Sequence, residues 1–154
     1  MGLDLNINVL AFDDHNFMKI MFKKNLNDIG MNNVETAENG KDAIEKLKEN
    51  KIELIICDWN MPEMDGLTFC KFVKESPEYK NIKFIMATAQ GDKEKMIEAK
   101  IAGADAHIAK PFTSEQLKEK IEIAYGLKET AKTDNTGPEV VNGKVKLRIG
   151  HIQI

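Results

Sequence analysis

The chain has 154 residues, 42% hydrophobic and 31% charged, which is room for one ordinary soluble domain plus an appendage. Its 25 acids against 22 lysines and arginines leave a formal charge of −3, which argues against direct nucleic-acid or membrane-surface binding. No apolar run approaches the ~20 residues that span a bilayer, and no export signal is visible at the start, so the cytoplasm is the expected compartment.

Strand and helix patterns alternate from Ile7 to about Leu127. The first strand, Ile7–Phe12, is an almost continuous apolar run closed by Asp13 and Asp14; such runs suit strands covered on both faces. Met18, Met21, Phe22, Leu26 and Ile29 then recur at helical spacing and stop at Gly30, a C-cap residue. A second strand spans Asn33–Ala37, and Ala43, Ile44 and Leu47 mark a shorter helix. The third strand, Ile52–Cys57, ends on Asp58 and runs into a turn containing Met61-Pro62 and Asp65-Gly66. Leu67, Cys70 and Val73 mark a third helix, stopped by Ser76-Pro77.

A fourth strand, Ile82–Thr88, leads to a helix from roughly Asp92 to Ala102 that is poor in large apolar residues and ends at Gly103. The fifth strand, Ala106–Ala109, ends on Lys110. The last helix opens with Thr113 or Ser114 as N-cap and carries Leu117, Ile121 and Ala124 on one stripe. Five βα units in succession predict a doubly wound α/β domain: a five-stranded parallel sheet in the order 2-1-3-4-5, with helices on both faces. Residues 1–127 form this domain, 128–139 have polar linker composition, and 140–154 read as a hairpin-like tail or the start of a further domain.

Open α/β folds place their chemistry at the carboxyl ends of the strands. Asp13, Asp14 and Asp58 stand there on the first and third strands, which are neighbours in this order. Two like unit charges ~4 Å apart repel by about 4 kcal/mol at an effective dielectric near 20. A compensating cation is therefore expected, and oxygen ligands suit Mg²⁺. Lys110 adds a second positive charge and Thr88 a hydroxyl in the same row. A carboxylate can accept a phosphoryl group, a transfer that needs alignment and charge neutralisation above all.

These residues resemble a known family, the receiver domain of bacterial two-component response regulators, and most closely its single-domain CheY-like chemotaxis members. The matching pieces are Asp13-Asp14, Asp58-Trp59-Asn60-Met61-Pro62, Met64-Asp65-Gly66, Thr88-Ala89 and Lys110-Pro111-Phe112. The resemblance implies a flavodoxin-like fold and a phosphoacceptor module rather than an enzyme. It implies that Asp58 takes phosphate from a sensor histidine kinase. It implies Mg²⁺ held by Asp14, Asp58 and the Asn60 carbonyl, with Asp13 acting through water. Thr88 and Lys110 would bind the phosphoryl oxygens, across a cis Lys110-Pro111 peptide that aims the lysine inward. The downstream target would be of the flagellar motor-switch kind, with a phosphatase as a further partner.

Two positions depart from the family pattern. His107 stands where an aromatic residue pairs with Thr88 as a switch, and an imidazole can protonate near pH 6.5. Gln90 stands where hydrolysis of the acyl phosphate is tuned; an amide orients water but cannot act as a base. His15 is expected to be an exposed first-turn residue, Trp59 a partly exposed ring beside the site, and Cys57 and Cys70 small buried hydrophobes.

Other functions are open on the sequence. The domain could be the input half of a longer regulator. A metal-dependent phosphatase would want its paired acids on the nucleophile's own strand, and a flavin-binding relative would want a Gly/Ser/Thr-rich loop where Asp13-Asp14-His15-Asn16 stands.

Overall fold

A computed structural model of the chain describes residues 3–61 and 64–128, together with the backbone of four short strands after them. In chain order the elements are β1 (Val9–Phe12), α1 (Asn16–Ile29), β2 (Val34–Ala37), α2 (Gly40–Glu49), β3 (Leu54–Asp58), α3 (Gly66–Glu75) and β4 (Lys83–Ala89). They continue with α4 (Lys93–Ala102), β5 (Ala106–Lys110) and α5 (Ser114–Ala124). The sheet is parallel in the order β2-β1-β3-β4-β5, as expected. The first four strands start slightly later than the apolar runs suggest, and three end later: Asp58, Ala89 and Lys110 lie within their strands.

The alternation of side chains along each strand divides the interior in two. Leu10 and Phe12 of β1, Ile55 and Cys57 of β3, and Phe84 and Met86 of β4 face one layer, with Phe69, Cys70 and Val73 of α3 and Ala99 of α4. Val9, Ala11, Leu54, Ile56, Ile85 and Ala87 face the other, with Phe22 and Leu26 of α1 and Leu117 and Ile121 of α5. These side chains are almost wholly buried, each contributing about 1.5–3 kcal/mol for the larger ones. Phe12 meets Phe69 edge-on at 4.9 Å between ring centres, which locks α3 to the middle of the sheet.

The helix ends follow local chemistry. Gly30 and Gly103 close α1 and α4 at φ 109° and 105°, a left-handed conformation that glycine takes without a Cβ penalty. Thr113 caps α5 in a reciprocal capping box with Gln116. Asp92 caps α4, whose one buried residue is Ala99, in keeping with its thin apolar stripe.

Beyond the sheet, β6 (Glu139–Val141) and β7 (Lys144–Lys146) pair antiparallel, with Val140 opposite Val145, and β8 (Arg148–Ile149) pairs with β9 (Ile152–Gln153). The Asn142-Gly143 turn, Pro62, Glu63 and most of the expected linker lie outside the described residues.

Candidate functional site

Register sets the site. Phe12 pairs with Cys57, so Asp13, just past β1, stands beside Asp58, the last residue of β3; Asp58 pairs with Ala87, Thr88 with Ala109, and Ala89 with Lys110. One ligand atom from each of Asp13, Asp14, His15 and Asp58 falls within 4.8 Å of all the others. Asp13 is fully buried and Asp58 is 1% exposed, whereas the Asp14 side chain keeps 27% of its surface in water.

The Lys110 ammonium donates to Asp58 Oδ1. Burial is the largest influence on Asp58 and raises its pKa above the usual carboxylate value; the Lys110 contact opposes this, and Asp13 and Asp14 add to it. Asp13 Oδ1 accepts the His15 amide at 2.8 Å. Asp13 Oδ2 and Asp14 Oδ1 are buried with no hydrogen-bond partner. A buried carboxylate oxygen left unpaired costs roughly 1–3 kcal/mol, so the pocket is built for a positive group. The three carboxylates are hard oxygen donors, which fit Mg²⁺.

Asp13-Asp14 do not cap α1. The N-cap is His15, and its side chain makes no capping bond. Its Nδ1 lies 3.1 Å from Asp13 Oδ1 and 3.0 Å from Asp14 Oδ1, so an exposed residue reaches back over the acids. Asn60 lies two residues past the end of β3, after Trp59, and is exposed.

Thr88 is 1% exposed and its Oγ1 hydrogen-bonds His107 Nε2. Burial, with Lys120 and Lys100 nearby, lowers the His107 pKa to about 4, so the ring is neutral at pH 7. His107 lines an open cleft of about 320 Å³ with Gln90, Met96 of α4 and Lys120 of α5. Gln90 itself is exposed in the turn after β4. The Lys110-Pro111 peptide is cis.

Trp59 corrects an expectation. It is 7% exposed and packs in the α3 layer, with the Lys95 ammonium 5.5 Å from its ring centre. Cys57 and Cys70 are free and fully buried; burial pushes the Cys57 thiol far above its ordinary value and Cys70 to about 12.

Two residues of the turn after β3, which the resemblance matches without giving them a role, support the site. Asp65 caps α3 by accepting the Thr68 amide at 2.8 Å. Gly66 passes so close to β3 that a Cβ there would stand 2.5 Å from the Asp58 carbonyl oxygen and 2.9 Å from Trp59 Cα. The signal for Asp65 was present, an acid just ahead of an apolar stripe. Nothing local to Gly66 announces its close approach.

The model of the response regulator receiver domain matches residues 9–122. The chain belongs to that family. It is 38% identical over 123 residues to chemotaxis protein CheY-3 of Vibrio cholerae, covering 80% of this chain and 95% of that protein. It is 42% identical over 119 residues to chemotaxis protein CheY1 of Helicobacter pylori, covering 77% and 96%. Among solved structures, the chemotaxis response regulator CheY4 of Vibrio cholerae matches with a TM-score of 0.70 at 34% identity, over 77% of this chain and 98% of that one. The family is a signalling module, and its five-stranded fold is the one described above.

Proposed function

We propose that this receiver domain stores a phosphoryl group on Asp58, taken from a phosphohistidine of a sensor kinase, and signals to a chemotaxis target of the motor-switch type. The observation that carries the reading is the Asp58 carboxylate, held at the carboxyl end of β3 between the Lys110 ammonium and two further acids. Phosphoryl transfer to it replaces a carboxylate oxygen's charge with a more negative group, which Lys110 and the Thr88 hydroxyl would neutralise and orient. Mg²⁺ would be held by Asp13, Asp14, Asp58 and Asn60. When bound, it supplies charge neutralisation for the incoming phosphoryl oxygens.

Asp58 is nearly sealed beneath Lys110, so phosphorylation requires the ammonium to swing off Oδ1 and onto the phosphate. The Lys110 side chain is 22% exposed and has room to do so. Phe17 and Ile20 on the first turns of α1 are 70% and 65% exposed beside the acids, an apolar surface suited to a kinase's phosphotransfer element. On the other side, the Thr88–His107 pair gives the cleft between α4 and α5 a contact that changes when Thr88 turns to the phosphate. Self-catalysed loss of the phosphate, with Gln90 as the tuning residue, would end the signal, helped by a phosphatase. Residues 1–127 would be the receiver unit and the segment after it a linker and tail.

Incubation with Mg²⁺ and acetyl phosphate, followed by intact-mass measurement, tests the centre of this reading. A one-phosphate adduct is expected on the wild type and none on Asp58→Asn. An adduct that survives in Asp58→Asn overturns it.

A further inference from the structure

The imidazole of His15 is the group that the reading above leaves unused. It projects from the N-cap of α1, makes no capping bond, and brings Nδ1 to 3.1 Å from Asp13 Oδ1 and 3.0 Å from Asp14 Oδ1. A ring nitrogen has one in-plane proton or one lone pair, so it satisfies at most one of the two oxygens. Asp13 Oδ1 takes that contact, and Asp14 Oδ1 remains without a hydrogen bond, as does Asp13 Oδ2 on a fully buried residue. The arrangement is thus poorly completed by protons alone.

It is well completed by a metal. Adjacent ligands of an octahedral ion with bonds of about 2.1 Å stand about 3.0 Å apart, and opposite ones about 4.2 Å. The two nitrogen–oxygen separations, 3.0 and 3.1 Å, suit that edge as well as they suit a hydrogen bond, and the two unpartnered oxygens tip the balance toward an ion. The 4.8 Å spread of the whole set needs only a slight contraction.

We infer that His15 Nδ1 is a ligand of the metal site, which makes it a mixed nitrogen–oxygen centre that prefers a late first-row divalent ion such as Co²⁺, Ni²⁺ or Zn²⁺ over Mg²⁺. Imidazole is a good ligand for those ions and a poor one for Mg²⁺, which favours oxygen and water. The inference rests on the metal site proposed above and adds a ligand to it. It reverses the expectation of a merely exposed first-turn histidine. The ring is 67% exposed, so its Nε2 remains in water and Nδ1 can adjust without unpacking any part of the core.

Calorimetric titration of the metal-stripped full chain with MgCl₂ and with CoCl₂ tests it, on wild type, His15→Ala and Asp14→Ala. Wild type is expected to bind Co²⁺ more tightly than Mg²⁺. His15→Ala is expected to lose roughly tenfold or more in Co²⁺ affinity, with Mg²⁺ affinity changed by less than about threefold, since the carboxylates are retained. Proton NMR of the Co²⁺ form should show paramagnetically shifted imidazole ring C–H protons that vanish in His15→Ala. Retained Mg²⁺ binding in that variant shows that the pocket is intact. If His15→Ala weakens both ions alike, or tightens both because the ring was only a counter-charge to the acids, the inference falls and the metal site stands. If neither ion binds wild type, or Asp14→Ala leaves binding intact, the metal site itself falls and the inference with it.

Discussion

Replacing Asp13 by asparagine removes one charge at a fully buried position of the acid triad while keeping the side chain's shape. The amide oxygen still accepts the His15 N–H, and its NH₂ takes the place of Oδ2, which has no partner now. At the outer separation of 4.8 Å and an effective dielectric of 20, each neighbouring carboxylate repels Asp13 by about 3.5 kcal/mol. Lys110 offsets most of the Asp58 contribution, and water screens the partly exposed Asp14. A net gain of about 1–2 kcal/mol is left for the metal-free variant, or roughly 2–8 °C in Tm for a chain of this size. Urea melts at pH 7 in EDTA should show it. With Mg²⁺ at a hundred times its Kd the wild type gains about 2.7 kcal/mol, and the variant, short of a ligand, gains less, so the advantage closes. A variant less stable than wild type in EDTA would refute the claim that these acids strain the fold.

Gly66→Ala should destabilise the protein by about 2 kcal/mol or more in the same urea melts, because its Cβ would overlap the Asp58 carbonyl and Trp59 backbone, which cannot yield, as well as the Met86 sulfur. Between pH 6.5 and about 4 the unfolded chain protonates His107 and the fold does not, so stability should fall as pH falls through that window; the difference in melting between wild type and His107→Phe should carry the slope. Asp58 has the opposite sense: its raised folded pKa means that the metal-free fold binds the extra proton. Stability from this residue should therefore be lost as pH rises from 3.8 through the folded value, a slope absent in Asp58→Asn. Autodephosphorylation should be slow to moderate, and a phosphate-release assay should separate Gln90 from its Glu and Ala variants; equal decay in all three would remove Gln90 from that role.

The sheet was legible because its strands are buried on both faces and read as apolar runs, with turn residues between them. Their exact ends were less so, since apolarity marks where the core covers a strand and not where pairing stops; Lys110 is polar and still pairs. Asp13, Asp14, Asp58 and Lys110 stood out because ionised groups at the ends of apolar strands have no packing rationale. Trp59 was misjudged by treating β3 as finished at Asp58. The alternation Ile55, Cys57, Trp59 continues by one step and places the indole in the α3 layer. Gly66 and the reach of His15 depend on contacts that form only after folding, with a neighbouring strand in one case and a backward-turned ring in the other.

The same alternation separates the chemistry from its readout. Counting from Val9 and Ala11, Leu54 and Ile56, and Ala106 and Ile108, the residues Asp13, Asp58 and Lys110 all continue the face packed by α1 and α5. Counting from Phe84 and Met86, Thr88 continues the opposite face, and His107, between Ala106 and Ile108, shares it. The hydrogen bond between Thr88 and His107 therefore runs on the α4 side of the sheet, while Lys110 meets Asp58 on the other. Thr88 is the residue placed to join the two, since it alone sits in the row of strand ends and holds the cleft-lining ring. His107→Phe, which cannot accept or donate that bond, should leave Mg²⁺ affinity at wild-type level and alter the Thr88 hydroxyl environment seen by NMR on phosphorylation. A change in Mg²⁺ affinity of the size caused by Asp14→Ala would mean that the two faces are not separable, and that the sheet does not insulate the acids from the cleft.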